Sequence, residues 1–304
     1  MLVRSDACSQ LSQMHMIQGT TKLLGVMGHP IEHSLSPVMH NAAIAHLGLD
    51  YVYVPLSVPP EKLEKAIAGF AAIDNFVGFS VTIPHKQAII PLLSEVSDIA
   101  QAIGAVNTVT KTDRGWVGTN TDVEGFLAPL QADNGDWSQS VAVILGNGGA
   151  ARAVVAGCKK LGCAQIHVVG RNRENLTAFQ ESWRNSSLPV EISTHFWEEL
   201  PNLISQTSLL VNTTPIGMYP KVDESPLNAE AIANLPAGAI AYDLIYKPNP
   251  TRFLQQAQGQ GAMSIDGLEM LVQQGAAALR IWLNTEPPVD VMRQSLQKQL
   301  KIKN

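Results

Sequence analysis

Cysteine is scarce in this 304-residue chain, and so is any excess of charge or any long apolar run. Cys8, Cys158 and Cys163 offer no CxxC pair, which excludes the common zinc and thiol-redox spacings. His167 follows Cys163 too closely, in an apolar run that reads as a buried strand, to complete a metal set. The thiols are therefore expected to be reduced and structural, and no metal is expected. Lys and Arg total 21 against 26 Asp and Glu, a formal net charge of −5, with no lysine-arginine run. That leaves no electrostatic stripe for a phosphate backbone and argues against nucleic acid as a partner. No stretch reaches the ~20 uninterrupted apolar residues of a membrane helix, and the N-terminus lacks the apolar core of a secretory signal. No membrane partner is expected, and a cytoplasmic location is. What remains is an ordinary globular composition, 45% hydrophobic and 15% charged, long enough for two domains.

Residues 1–19, with Met14 and Met16, show no periodicity and read as a loose N-terminal extension. KLLGVMG (22–28) is an apolar run ending in glycine. Ser36-Pro37 supplies an N-cap serine and a first-turn proline, and the helix they start should run to Leu47 and stop at Gly48. YVYVPLSV (51–58) has strand character, a helix is predicted from Pro60 to about Ile73, and FVGFSVTI (76–83) is a strand stopped by Pro84. After a short helix near 97–103, AVNTVTKT (105–112) and WVGTNT (116–121) flank the turn Asp113-Arg114-Gly115. That spacing predicts a hairpin, an antiparallel pair in an otherwise parallel sheet.

A helix from Asp122 to about Gln131 should cross to a second half. There SVAVILG (140–146), AQIHVVG (164–170), VEIST (190–194), LLVNTTP (209–215), AIAYDLIY (239–246) and MSID (263–266) read as strands, with helices between them. Such alternation implies a doubly wound parallel sheet. The last clear helix, from about Leu268 to Leu283, is placed to return to the first domain.

GNGGAA (146–151) sets Gly146 after a strand, Gly148 two residues on, and Ala151 at the third fingerprint position. The first glycine permits a tight turn, the second lets backbone approach a pyrophosphate, and the third position permits close helix–strand packing. Asn147, Gly149 and Ala150 lie in the same turn, where the helix start offers free N–H groups and a positive dipole end. Glycine turns also serve packing alone; the strand before and the helix after favour a dinucleotide. An NAD site would carry an acid at the end of the next strand. Here the chain reads Gly170-Arg171-Asn172-Arg173, with no carboxylate until Glu174. Two guanidinium groups suit a 2′-phosphate and select NADP, unless they are only solvated charges at a helix start.

Four polar motifs precede that turn: SLSP (34–37), SVTIPHK (80–86), GAVNT (104–108) and GTNTD (118–122). Alone, Lys86 reads as a surface charge and Asp122 as an N-cap. With NTTPIGM (212–218), DLIYKPNPT (243–251) and DGLEMLVQQ (266–274) following in order, the chain from about residue 22 to 295 resembles the shikimate dehydrogenase family. The resemblance implies an oxidoreductase that reversibly reduces 3-dehydroshikimate to shikimate with NADPH, in aromatic amino-acid biosynthesis. The fold class it implies is α/β in two domains. An N-terminal, mostly parallel α/β substrate domain would comprise 20–122 plus 268–304, and a Rossmann-type doubly wound NADP domain 123–267.

Carried over by residue, the resemblance implies that Ser34 and Ser36 hold the substrate carboxylate with help from the Tyr246 hydroxyl. Thr82, Lys86, Asn107, Asp122 and Gln274 would hold the ring hydroxyls and the reacting oxygen, with Lys86 and Asp122 as the catalytic pair. A site built of such donors and acceptors rejects analogues that lack the hydroxyls. Gly146, Asn147, Gly148, Gly149, Ala150, Arg171, Asn172, Arg173, Thr214, Met218 and Gly267 would form the cofactor site. Met218 and Met270 suit a nicotinamide face or a core equally well, and Asn212–Pro215 suits a plain turn nearly as well as a cofactor loop. His33, His40 and His85 lie near the motifs without metal-ligand spacing and are assigned no chemistry. Ser80 stands where the family usually has asparagine, a departure that bears on substrate affinity.

Hydride arrival builds negative charge on the carbonyl oxygen, which a positioned cation or proton donor stabilises. Lys86 suits that role and Asp122 would fix its direction; either of the two can carry the proton. The competing readings are a quinate or dual quinate/shikimate dehydrogenase, a noncatalytic NADP-binding sensor, and a folate-linked dehydrogenase of similar plan. The expected partners are small molecules, with the chain acting as a monomer or homodimer.

Overall fold

The structure, a computed structural model, describes residues 17–131, 135–184 and 186–302. Cys8, Met14, Met16 and most of the 1–19 extension lie outside the described residues, as does part of the polar turn at 133–139.

The first half forms one six-stranded sheet. β1 (Lys22–Gly28) pairs in parallel with β2 (Tyr51–Ser57) on one side and β3 (Phe76–Val81) on the other. Helix α1 (Ser36–Leu47) starts one residue earlier than a serine N-cap implies: Ser36 is its first residue and the Ser34 hydroxyl accepts from the Ser36 N–H at 3.3 Å. It ends at Gly48, whose φ of 64° is the left-handed conformation that glycine adopts freely. Pro60–Lys62 form a single 3₁₀ turn before α2 (Leu63–Ala71), which stops two residues short of Ile73. Beyond β3 come α3 (His85–Ala88), the two-residue strand β4 (Glu95–Val96) and α4 (Asp98–Ile103), whose N-cap Ser97 accepts from Ala100 N–H.

β5 (Thr108–Thr112) and β6 (Gly115–Thr119) form the expected antiparallel hairpin, and the sheet order is β2-β1-β3-β5-β6-β4. β5 starts at Thr108 rather than Ala105. Val106 N–H turns away to bond the Lys86 carbonyl, while Asn107 still bonds both neighbouring strands, its N–H to the Thr119 carbonyl and its carbonyl from Val81 N–H.

α5 (Asp122–Gln131) leads to the second sheet, made of β7 (Val141–Leu145), β8 (Gln165–Gly170), β9 (Ser193–Phe196), β10 (Leu209–Asn212), β11 (Ile240–Asp243) and β12 (Met263–Ile265). α6 (Gly149–Leu161), α7 (Arg173–Arg184), α8 (Leu200–Ile204), α9 (Ala229–Ile232) and α10 (Arg252–Gly259) connect them. The order β12-β11-β10-β7-β8-β9 is wholly parallel, with chain direction across the sheet reversing between β7 and β10. That is the doubly wound arrangement, and its crevice for a dinucleotide lies at the reversal. β9 occupies 193–196 rather than 190–194, because Val190 and Ile192 are buried in the apolar layer with Phe179 and Trp183 of α7.

Two helices join the halves. Phe126 of α5 stacks on Tyr242 of β11 with ring centres 5.3 Å apart, and lies so close to Gly157 of α6 that a Cβ there would approach its ring to within van der Waals overlap. α11 (Gly267–Leu283) crosses α5 at Gly125, where a Cβ would meet the Met270 carbonyl at 2.7 Å. It then buries Leu268, Val272, Ala276 and Leu279 with Met39, Ala43 and Ile44 of α1. A further helix, α12 (Val289–Leu300), adds Met292 and Leu296 to that layer. Each large apolar side chain so buried contributes about 1.5–3 kcal/mol. The opposite face of the first sheet is covered by α2 and α4, around Phe76, Phe79 and Trp116.

Candidate active site

Thr82 follows β3 and its N–H bonds the Met27 carbonyl at 2.9 Å; its own carbonyl accepts from His85 N–H. This turn, with a cis Ile83–Pro84 bond, delivers Lys86 into α3. Lys86 Nζ donates to Asp122 Oδ2 at 2.5 Å, and the two side chains are only 16% and 7% exposed. With so little water around them, the attraction is screened far less than on a surface, and removing either charge leaves the other buried and unpaired.

Asp122 is the first residue of α5, where the helix dipole favours an anion. Its N–H bonds Asn120 Oδ1 at 2.9 Å, and Asn120 Nδ2 bonds the Ala105 carbonyl at 2.9 Å. Asn107 Nδ2 donates to Asp122 Oδ1 at 2.8 Å and lies 3.4 Å from Gln274 Oε1, while Asn107 Oδ1 accepts from Thr121 N–H at 2.8 Å. Thr121 Oγ1 in turn donates to the Gln274 carbonyl at 3.0 Å. Lys86, Asn107, Asp122 and Gln274 thus gather at one junction, from α3, the segment just before β5, α5 and α11, and Thr82 stands in the turn after β3 that leads to Lys86. In the sequence, Asn120 and Thr121 are marked only by the GTNTD motif as a whole.

Ser34 and Ser36 sit at the start of α1, and Tyr246 Oη reaches the neighbouring His33 carbonyl at 3.5 Å, which brings the third member of that set to the same loop. Burial pushes the Tyr246 phenol up, so it stays protonated. His33 rests against the Tyr219 ring, centres 5.3 Å apart, and His85 donates from Nε2 to the Val58 carbonyl at 2.6 Å.

On the second sheet Gly146 follows β7 at the reversal point, with φ 104°. A Cβ there would lie 2.7 Å from Thr213 Oγ1, which is fixed by its bond to the Leu145 carbonyl at 2.7 Å. Both the backbone conformation and the lack of space require glycine at this position. Gly148 has open space where a Cβ would stand. Gly149 faces the first half: a Cβ on it would lie 3.6 Å from Lys86 Cδ.

Arg171, Asn172 and Arg173 are exposed after β8; Asn172 Oδ1 accepts from Asn175 N–H at 2.8 Å, and the Arg173 guanidinium lies 4.1 Å over the Phe196 ring. Beyond β10, Asn212 Oδ1 accepts from both the Thr214 N–H and its hydroxyl, and Asn212 Nδ2 donates to Asp243 Oδ1 at 3.0 Å. Asp243 is fully buried and also accepts from Thr251 Oγ1 and Ile245 N–H; burial pushes its carboxyl up to about 6. The 212–215 segment is therefore a turn held by side chains, which carries Thr214. Met218 is 41% exposed, whereas Met270 is buried in the core beside Phe126. Gly267 packs on residues 244–245, where a Cβ would overlap the Leu244 carbonyl, so packing alone demands glycine there.

Cys158 and Cys163 are free thiols, and among the described residues no group of three potential metal ligands occurs and no helix is long and apolar enough to cross a membrane.

Family models for the "Shikimate dehydrogenase substrate binding domain" and the "Shikimate 5'-dehydrogenase C-terminal domain" match residues 26–109 and 267–297. The NADP(+) shikimate dehydrogenase of Trichormus variabilis is 69% identical over 287 residues, 94% of this chain and 99% of that one. The chain belongs to the shikimate dehydrogenase family. Its counterpart from Nostoc sp. is likewise 69% identical, over 95% of this chain and 100% of that one. A solved shikimate dehydrogenase in complex with NADP+ shares the fold with a TM-score of 0.83 at 39% identity, over 94% of this chain and 98% of that one. Membership in the shikimate dehydrogenase family agrees with the resemblance carried by the motifs and with the α/β fold of two sheets.

Proposed function

We propose that the chain catalyses the reversible NADPH-dependent reduction of 3-dehydroshikimate to shikimate, a step of aromatic amino-acid biosynthesis. One observation carries this reading: Lys86 of the buried Lys86–Asp122 ion pair runs its stem past Gly149 of the glycine turn, where an added Cβ would stand 3.6 Å from Lys86 Cδ. A proton-transfer pair beside a nicotinamide-type site is what a carbonyl reduction needs, and a noncatalytic sensor has no use for it.

Gly146, Asn147, Gly148, Gly149 and Ala150 fit the pyrophosphate, since Gly146 can bear no side chain and the N-terminus of the 13-residue helix α6 lies beside it. Arg171 and Arg173 would hold the 2′-phosphate, with Asn172 capping the helix that Arg173 begins, and Thr214, Met218 and Gly267 would border the nicotinamide end. When bound, the dinucleotide would supply the hydride. Ser34, Ser36 and Tyr246 hold the substrate carboxylate, and Thr82, Asn107 and Gln274 hold ring hydroxyls. Lys86 faces the carbonyl oxygen and stabilises the negative charge that develops there, a contribution largest in the transition state. Asn107 and the α5 N-terminus hold Asp122, and Asp122 holds the ammonium, so that either of the two can give the proton to the reacting oxygen. The enzyme works in the cytoplasm as a monomer or homodimer on small-molecule substrates.

A quinate or dual quinate/shikimate dehydrogenase would use nearly the same residues; the arginines after β8 and the paired serines favour shikimate with NADP. The test is the initial rate of nicotinamide absorbance change with shikimate or quinate, each offered with NADP or NAD. Turnover chiefly with shikimate and NADP is expected. Comparable turnover of quinate would move the chain to the dual branch, and no turnover with any pair would overturn the enzyme reading.

A further inference from the structure

Ser80 lies on the face of β3 that also carries Gly78 and Thr82, since side chains alternate along a strand. That face is turned toward α11: a Cβ on Gly78 would overlap the Trp282 indole. In register, Ser80 stands opposite Thr108 of β5, whose hydroxyl donates to Asn107 Oδ1 at 3.0 Å. Ser80 is thus one strand position from Thr82 along the sheet face and one side chain from the Asn107 network. It is 8% exposed.

The Tyr53 phenol donates to Ser80 Oγ at 2.9 Å, from a side chain that is itself 1% exposed. Burial pushes that phenol far up, so it remains a donor at every pH at which the protein folds. Three side chains hold Tyr53, one at its backbone and two at its ring. Asn41 of α1 brackets the Tyr53 backbone, donating to its carbonyl at 2.8 Å and accepting from its N–H at 2.9 Å. His40, the preceding residue of α1, stacks on the ring with centres 4.1 Å apart and planes 12° off parallel. Trp282 packs beside both rings, its centre 6.0 Å from that of Tyr53 and 5.7 Å from that of His40. α1 therefore begins with Ser36, and one turn later grips the tyrosine that reaches Ser80.

We propose that Tyr53 is a positioning residue of the substrate pocket, its phenol holding Ser80 so that the serine proton points into the junction and donates to a ring oxygen of the bound polyhydroxylated acid. The proposal rests on the shikimate reading above. A lone serine hydroxyl rotates freely and both donates and accepts. With one lone pair occupied by Tyr53, and with no protein acceptor for its own proton among the described residues, Ser80 becomes a directed donor. The bland alternative is that the bond merely satisfies a buried phenol, and a structural bond of that kind would leave substrate affinity untouched.

The test is steady-state kinetics of the full chain and the variants Tyr53→Phe, Ser80→Ala and Tyr53→Phe/Ser80→Ala, varying shikimate at saturating NADP and then NADP at saturating shikimate. The expected result is a rise of about 5–20-fold in the shikimate KM for Ser80→Ala, in line with loss of one hydrogen bond. Tyr53→Phe should give a smaller rise in the same constant, and the double variant should be no worse than Ser80→Ala, because the two act through one bond. The NADP KM should stay within twofold. Ser80→Thr, which keeps the hydroxyl, should recover most of the affinity. An unchanged shikimate KM in Ser80→Ala overturns the proposal even where Tyr53→Phe folds poorly; multiplicative effects in the double variant overturn the coupling. Wild-type chain inactive on shikimate in the same assay overturns the functional reading and this inference with it, whereas an active wild type with unmoved variants overturns the inference alone.

Discussion

Gly149 opens α6 facing the aliphatic stem of Lys86: a Cβ built on it would stand in ordinary contact, 3.6 Å from Lys86 Cδ and 3.7 Å from Lys86 Cβ. The two residues belong to different sheets, one in the turn after β3 and the other in the turn after β7. The stem of the lysine faces the glycine across the space of one methyl group, while its ammonium turns to Asp122 at 2.5 Å. The charged end of the lysine is thereby held by Asp122, and its stem borders the glycine turn.

Lys86→Ala should lower kcat by roughly 10²–10⁴ while the shikimate KM changes by less than tenfold, because the ammonium matters most when charge has developed on the reacting oxygen. Asp122→Asn should also cut kcat, since the ammonium loses its fixed direction. Steady-state kinetics in the shikimate-oxidising direction read both. A rise in KM with kcat intact would reduce Lys86 to a binding residue.

Arg171→Gln and Arg173→Gln separate the two arginines after β8. Each should raise the NADP KM and leave the NAD KM nearly unchanged, Arg171 by about tenfold or more, as loss of a charge-assisted phosphate contact implies. Arg173 already lies 4.1 Å over Phe196, a stack that holds its guanidinium in place. The ratio of the two KM values for NADP and NAD, measured for each variant, is the readout. Parallel changes in both constants would show that the arginines support the fold rather than choose the cofactor.

Gly146→Ala tests the dinucleotide turn. With φ at 104° and Thr213 Oγ1 2.7 Å from the new methyl, the substitution is strained in backbone and crowded in space. It should destabilise the chain by about 1–3 kcal/mol and raise the KM for NADP and NAD alike, in contrast to the arginine variants. Thermal unfolding and cofactor KM values together check it. Unchanged cofactor KM values in a folded variant would exclude the turn from the cofactor site.

Local signals carried much of this in the sequence. Ser36-Pro37 and Gly48 bound α1 to within one residue, the Asp113-Arg114-Gly115 turn marks the hairpin, and GNGGAA marks the start of α6. Strand order was not legible, because neighbours such as β7 and β10 are separated by more than 60 residues and pair through packing of the whole sheet. α12 gave too weak a signal, with only Met292 and Leu296 fully buried on a polar helix. β9 slid three residues because Val190 and Ile192 are apolar for the core rather than for the sheet. The motif residues at the junction were legible as a set; the grip of Asn41 and His40 on Tyr53 was not, since it joins a helix face to an edge strand and no short spacing encodes it.

His40 gives the last prediction, one of pH and stability. It is completely buried on Tyr53, neither ring nitrogen has a hydrogen-bond partner, and burial lowers its pKa from 6.5 to about 3. As pH falls below 6.5 the unfolded chain takes up a proton that the fold refuses until about pH 3, so the fold loses stability across that window as pH falls. At pH 5.0 the loss from this group is about 2 kcal/mol relative to pH 7.5. His40→Phe keeps a ring on Tyr53 and removes the titration. Whatever the variant costs at pH 7.5 through packing, its stability relative to wild type should improve by about 2 kcal/mol at pH 5.0. Urea unfolding of both proteins at the two pH values measures this difference, in which all other titrating groups cancel. A difference that does not change with pH would mean that His40 is solvated or protonated in the folded chain, and that the uncharged plate supporting Tyr53 is not what the histidine provides.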